Sequence, residues 1–295
     1  MRVLVVVDRN RTAWLSPSVG FVSADSPFHP MTVDHERRSS FAELLRHEGL
    51  TPFAGMSAGV GASLASSGHD LTHGTTIVAL RYADGVVMAG DRRATAGNVI
   101  AHRSMQKVFP ADRWSGVSIS GVAGVASEMV KLFQLELEHY EKVEGAPLSL
   151  EGKATRLANM IRSNLPMAMQ SGLVVIPIFA GYDLRRNQGR IFNYDVTGGR
   201  YEEMEFYGTG SGGTYARSLI KQQWNAQLDR GAAVSLAVSS LFEAADEDSA
   251  TGGPDAIRGI YPTCATITAE GYEEVPEAEI AERFSELLRS RGVSR

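Results

Sequence analysis

Apolar residues recur at strand and helix spacings with few gaps from about position 75 onward, and far more sparsely before it. Thr76-Ile77-Val78-Ala79-Leu80 and Val86-Val87-Met88-Ala89 are short β-branched and aliphatic runs. The intervening Ala83-Asp84-Gly85 predicts a hairpin, because Asp-Gly tolerates the positive φ that tight turns use. Val117 to Ser120 predicts a further strand. Val125, Met129, Phe133, Leu137 and Tyr140 fall on one face of a long amphipathic helix. A second helix carries Leu157, Ile161 and Leu165 and is kinked or ended by Pro166. Strand patterns return over Leu173 to Tyr182, Ile191 to Val196 and Tyr201 to Phe206, with Gly198-Gly199 as a turn. Ile220, Trp224 and Leu228 mark a third helix, and Val234, Ala237, Val238 and Leu241 a fourth. A strand over Thr263 to Thr268 and a helix with Ile280, Phe284 and Leu287 close the chain. Strands, two helices, strands, two helices and a strand suit an α+β fold in which helices cover both outer faces of two sheets.

The first seventy-four residues read differently. Twelve of the fifteen residues in 54–68 are Gly, Ala or Ser, a composition that buries little apolar surface and predicts a flexible linker. Ahead of it, Ser40-Phe41-Ala42-Glu43-Leu44-Leu45-Arg46 predicts a short amphipathic helix with Phe41, Leu44 and Leu45 on one side. The N-terminal run from Val3 to Val7 is stopped by Asp8 and is too short for a signal or membrane segment, so export is not expected. The sequence thus divides into an arm, 1–74, and one main domain, 75–295.

Composition narrows the function. A formal charge of -5 and a pI near 5.8 supply no broad basic field for nucleic acid. The single cysteine, Cys264, excludes an internal disulfide, and its place in Thr263-Cys264-Ala265-Thr266-Ile267 favours a buried, inert thiol compatible with a reducing compartment. His69 and His73 precede the domain, and His102 and His139 lie in polar contexts, so no histidine stands out as catalytic. No clustered metal-ligand spacing is apparent.

The chemistry-bearing residues gather elsewhere. Gly74-Thr75 opens directly onto the first strand, and Asp91 and Lys107 follow Thr75 at equal intervals of sixteen residues. A threonine hydroxyl is a weak nucleophile unless activated, and a chain terminus can provide its own α-amine as base. An ammonium beside the hydroxyl would favour the alkoxide, with the aspartate holding the lysine charged and oriented. Read singly, Gly74-Thr75 is a turn before a strand and Asp91 with Lys107 a structural ion pair. Gly208-Thr209-Gly210-Ser211-Gly212-Gly213 fits G-x-G-x-x-G between a strand and a helix, but lacks the βαβ unit and ribose-binding acid of a dinucleotide site. Gly121, after the strand ending at Ser120, is either a strand-ending glycine or a backbone N–H donor to an oxyanion, helped by the dipole of a following helix.

Taken together, Gly74-Thr75, Asp91, Arg93, Lys107, Gly210-Ser211-Gly212 and Asp248-Ser249-Ala250-Thr251-Gly252-Gly253 resemble the motifs of the bacterial-type β subunits of the 20S proteasome, a family of N-terminal-nucleophile hydrolases. The resemblance runs from Thr75 to about Thr268. It implies a four-layer αββα sandwich and a threonine endopeptidase of the proteasome class, made with a propeptide, 1–74, that self-cleavage at Gly74-Thr75 removes. It implies catalytic roles for Thr75, Asp91, Arg93 and Lys107, and places Ser211, Asp248 and Thr251 around the terminal amine. Thr95, Gly121 and Ala123 match substrate-backbone positions, with Gly121 at the oxyanion. Ala94, Met105, Ile119, Ala123 and Ser127 match the lining of the S1 pocket, which without a charged member suggests uncharged P1 side chains. Thr251 stands where a serine is usual and keeps the hydroxyl. The family further implies two inner seven-membered β rings between outer α rings (α7β7β7α7), a ring-shaped ATPase that feeds substrate, a cytoplasmic location, and no cofactor, metal, membrane or nucleic acid. Two other readings remain open: a β-type subunit that only builds the chamber, although such subunits usually lose the threonine, lysine or processing glycine, and an N-terminal-nucleophile amidase acting on a small molecule. The related two-ring bacterial protease has shorter subunits and a different pattern after the catalytic aspartate.

Overall fold

The computed structural model describes residues 74–292. The expected docking helix over 40–46, the linker over 54–68 and His69 and His73 lie outside the described residues.

Two five-stranded antiparallel sheets face each other. The first contains β1 (Thr76–Tyr82), β2 (Gly85–Gly90), β10 (Phe206–Gly210), β11 (Thr263–Ile267) and β12 (Tyr272–Glu274), in the order β10-β1-β2-β11-β12. The second runs β5 (Val108–Asp112), β6 (Ser115–Gly121), β7 (Val175–Asp183), β8 (Gln188–Tyr194) and β9 (Arg200–Glu203) in sequence order. A two-stranded ribbon, β3 (Ala94–Ala96) with β4 (Val99–His102), stands apart.

Alternation along β1 shows how the layers are made. Ile77 and Ala79 point between the sheets, where they meet Met88, Val108, Ile178, Ala180 and Ile191. Val78 and Leu80 point outward against α3 (Gly213–Gln223), α4 (Arg230–Glu247) and α5 (Glu277–Ser290) through Ile220, Val234, Ala237, Leu241 and Phe284. The outer face of the second sheet is covered by α1 (Ala123–Glu144) and α2 (Leu150–Ser171), whose Met129, Phe133, Leu157 and Ile161 pack on Val117, Phe179 and Phe192. Each fully buried Ile, Leu or Phe contributes about 2 kcal/mol, so three apolar interfaces hold the four layers together. The expected αββα sandwich is the observed one.

Local differences have local causes. Tyr82 pairs with Gly85 across the two-residue turn Ala83-Asp84, and neither Asp84 nor Gly85 takes positive φ. Gly85 is instead required by crowding, since a Cβ there would meet the Ile267 carbonyl oxygen at 2.1 Å. Pro166 lies inside α2, which continues to Ser171 and ends at the left-handed Gly172, whose N–H reaches the Ala168 carbonyl at 2.9 Å. Tyr201 to Phe206 is not one strand: β9 pairs with β8 and β10 with β1, in different sheets. Trp224 ends α3, leaving Leu228 outside it. Among the described residues no helix is long and apolar enough to cross a membrane.

The topology brings five chain segments to one end of the sandwich. Because β1 runs antiparallel to both neighbours, its start at Thr76 lies beside the end of β10 at Gly210, and Ile77 lies beside the end of β2 at Gly90. Hydrogen bonds draw in the segment before β5 and the loop after α4.

Candidate active site

Thr75 is buried at the head of β1, and its hydroxyl donates to the carbonyl oxygen of Gly74 at 2.8 Å. The Gly74 N–H donates to Thr95 Oγ1 at 3.0 Å. A Cβ on Gly74 would lie 2.0 Å from the Ala250 Cβ and 2.6 Å from its carbonyl oxygen, so only glycine fits. The Thr75 carbonyl oxygen accepts the Ser211 N–H at 3.0 Å. It also lies 1.7 Å from where a Cβ on Gly210 would stand, so that position too must be glycine, and its φ of 97° is one that only glycine adopts easily. The peptide bond between Gly74 and Thr75 is therefore clamped on both sides.

Asp91 directly follows β2 and has no exposed surface. Its Oδ1 accepts the Thr76 N–H at 2.8 Å and the Lys107 Nζ at 2.6 Å; its Oδ2 accepts the N–H groups of Arg93 and Gly252, both at 2.9 Å. Four donors from four chain positions saturate the carboxylate. Lys107, 1% exposed, also donates to the Arg93 carbonyl at 2.5 Å. Burial pushes the Lys107 pKa below its usual 10.5, and the charge and hydrogen bond of Asp91 pull it part of the way back. An ammonium has three protons, and these two bonds use two of them.

On the other side, Asp248 caps the C-terminus of α4. It accepts from the Ala250 N–H at 3.1 Å and from Thr251 Oγ1 at 2.5 Å. Thr251 is fully buried and its hydroxyl lies 2.6 Å from that of Thr76. Ser211 reaches Thr75 through its backbone N–H, while its side chain is exposed. Arg93 donates through Nη1 to the Ser249 carbonyl at 2.9 Å, tying the two loops together.

The remaining expected residues are more dispersed. Gly121 takes a φ of 117°, and a Cβ there would meet the Val174 carbonyl oxygen at 2.1 Å. It stands just before α1, whose N-cap, Val122, offers no side-chain bond to the first turn. Ala94 is buried, and Met105 is half-buried with its N–H on the Arg92 carbonyl at 3.0 Å. Ile119 is buried beneath α1 and Ser127 half-buried on that helix. Ala123 begins α1, and its side chain lies outside the described residues.

Thr76, Ala250 and the backbone N–H of Gly252 also build the site, although the motifs assign them no role. Thr76 carried a signal: a hydroxyl at a position with no exposed surface, at the head of a strand buried on both faces, needs buried partners. The other two contribute backbone or bare Cβ contacts, which no side-chain motif records.

A buried hydroxyl against the carbonyl of the preceding residue, between two facing sheets sheathed in helices, is the arrangement of an N-terminal-nucleophile hydrolase. The proteasome subunit family model matches residues 71–257. A proteasome subunit beta of Acidimicrobium ferrooxidans is 60% identical over 233 residues, 78% of this chain and 85% of that protein. One of Streptomyces griseus is 59% identical over 219 residues, 74% of this chain and 78% of that protein. The chain belongs to the proteasome subunit family and, within it, to the catalytic β subunits of the core; it is a protease.

Proposed function

We propose that the chain is a threonine endopeptidase that matures by cutting its own Gly74-Thr75 bond. The observation that carries this reading is the Thr75 hydroxyl, 2.8 Å from the Gly74 carbonyl oxygen, beside a buried Lys107–Asp91 pair. In maturation the Thr75 oxygen bonds to the Gly74 carbonyl carbon, the C–N bond breaks, and the hydroxyl proton ends on the Thr75 nitrogen. Water then hydrolyses the ester, leaving a Gly74 carboxylate and a free Thr75 amine. The mature enzyme repeats the attack on substrate peptides, with that amine as base through water. Lys107 stabilises the alkoxide electrostatically. Asp91 and Arg93 hold the lysine. Ser211, Asp248 and Thr251 orient the amine. The Gly121 N–H and the uncapped start of α1 receive the oxyanion. Thr95, Gly121 and Ala123 hold the substrate backbone, and the uncharged Ala94, Met105, Ile119, Ala123 and Ser127 select uncharged P1 side chains.

Residues 1–74 are then a propeptide that assists ring assembly and shields Thr75 until the chamber closes. The partners are α subunits, other copies of the β chain in α7β7β7α7 order, and a ring-shaped ATPase in the cytoplasm. Exposed Leu132, Leu135 and Val143 on α1, beside a groove of about 730 Å³ between α1 and α2, support burial against other subunits. The assembled particle should have Thr-Thr-Ile-Val as its β N-terminus, and Thr75→Ala should keep residues 1–74 attached and hydrolyse no peptide. A particle that is active with Met1 or His73 at its terminus, or an active Thr75→Ala particle, would refute the reading.

A further inference from the structure

Thr76 makes more bonds inside the site than any residue the motifs select except Asp91. Its N–H donates to Asp91 Oδ1 at 2.8 Å, and its carbonyl accepts the Asp91 N–H at 3.0 Å. Its hydroxyl oxygen accepts the Gly212 N–H at 2.9 Å and lies 2.6 Å from Thr251 Oγ1. The direction of that last bond follows from the neighbours. Thr251 gives its proton to Asp248 Oδ2 at 2.5 Å, so the proton between the two threonines comes from Thr76. The result is a one-way series: Gly212 N–H to Thr76, Thr76 to Thr251, Thr251 to Asp248. Nothing in it can be loosened by turning a hydroxyl, because each oxygen already has a donor and each proton an acceptor. A Cβ on Gly212 would lie 2.7 Å from both threonine oxygens, which shows how closely the turn after β10 closes over them.

We infer that Thr76 is a positioning residue for the reaction and acts through Thr251 and Asp248. Its backbone fixes the nucleophile's neighbour to Asp91, while its side chain fixes the opposite wall of the site to the same residue. One amino acid thereby sets the distance between the lysine side and the Asp248 side, with Thr75 between them. A displacement of the order of an ångström between such groups costs about a hundredfold in rate. The inference rests on Thr75 being the nucleophile as proposed above.

The test uses the full chain co-assembled with its α subunit and a fluorogenic peptide substrate. Thr76→Val keeps the shape and removes the hydroxyl; it should lower kcat about tenfold or more with KM within about twofold, and slow cleavage before Thr75. Thr76→Ser should recover most of the lost kcat. Because Thr76 acts through Thr251, Thr76→Val combined with Thr251→Ala should be no slower than the slower single variant. Wild-type kcat in Thr76→Val, or losses that multiply in the double variant, would overturn the inference. Thr76→Ala covers the case in which valine does not fit, and failure of both to assemble would show that the hydroxyl serves the fold and not the site. Activity surviving in Thr75→Ala would instead refute the underlying reading and leave these ratios without a nucleophile to report on.

Discussion

Two lysine–aspartate pairs, each with a buried lysine, stand at the two ends of strand β5. Lys107, immediately before the strand, meets Asp91 at 2.6 Å; Asp112, its last residue, meets Lys153 of α2. In both, the lysine side chain is no more than 5% exposed. Yet the carboxylates keep different company. Asp112 accepts the Trp114 N–H at 3.1 Å and the Ser115 hydroxyl at 2.5 Å, both on its own turn, and so joins one turn to one helix. Asp91 gathers β1, its own loop, the approach to β5 and the loop after α4 at the head of β1. A buried lysine in an ion pair is therefore common to both; convergence on the head of β1, beside the proposed nucleophile, distinguishes the first.

The sharpest way to break this contrast is to remove each lysine. Lys107→Ala should leave particles that retain residues 1–74 and hydrolyse peptide about a thousandfold more slowly or worse, since residues acting as a unit fail together. Normal processing and rate, read by intact mass and a peptide assay, would make this pair structural too. Lys153→Met should leave kcat unchanged while costing about 3 kcal/mol of stability, the usual result of stranding one member of a buried pair, and should lower the thermal midpoint. A Lys153→Met particle of normal midpoint and low kcat would reverse the assignment.

Acidity offers a third comparison. The folded pKa of Lys107 lies below the usual 10.5, so between the two values the unfolded chain binds the extra proton and stability rises with pH. Activity should go the other way, falling on the alkaline side as the ammonium is lost, at a pH below the ordinary lysine range. In Asp91→Asn the residual activity should fall at a still lower pH, because the partner that raises the lysine pKa is gone; a limb that stays put would separate it from Lys107. The smallest effect concerns Ser118, which faces Val108 of β5 and whose buried hydroxyl has no hydrogen-bond partner among the described residues. Ser118→Ala should raise the midpoint by an amount equivalent to about 1 kcal/mol or less, without touching kcat. A fall would mean that the hydroxyl is in use.

What the sequence revealed divides along the sheets in the same way. β1, β2, β6, β7, β8 and β11 each have a neighbour on both sides and are buried almost throughout, so their apolar runs are conspicuous. The strands missed or misdrawn, β5, β9, β10 and β12, are all sheet edges, and β3 and β4 form the detached ribbon. β5 contains Pro110, and β9 and β12 read Arg-Tyr-Glu-Glu and Tyr-Glu-Glu, because an edge has less apolar surface to hide and gains from charge. The candidate site was legible where side chains carry it, at Thr75, Asp91, Lys107, Asp248 and Thr251. It was illegible where main chain carries it: the N–H groups on Asp91, and the Ala250 contact that demands Gly74.

Strand β1 is laced on one edge to β2 and on the other to β10, and every residue of it except half-buried Arg81 is buried. A scission just ahead of such a strand would leave everything downstream in place. All the freedom released would go to the departing segment, and none of the retained atoms would need to search for a new arrangement. The fresh terminus would inherit an address fixed before it existed, so precursor and product would share one rigid frame and differ only in what had left it.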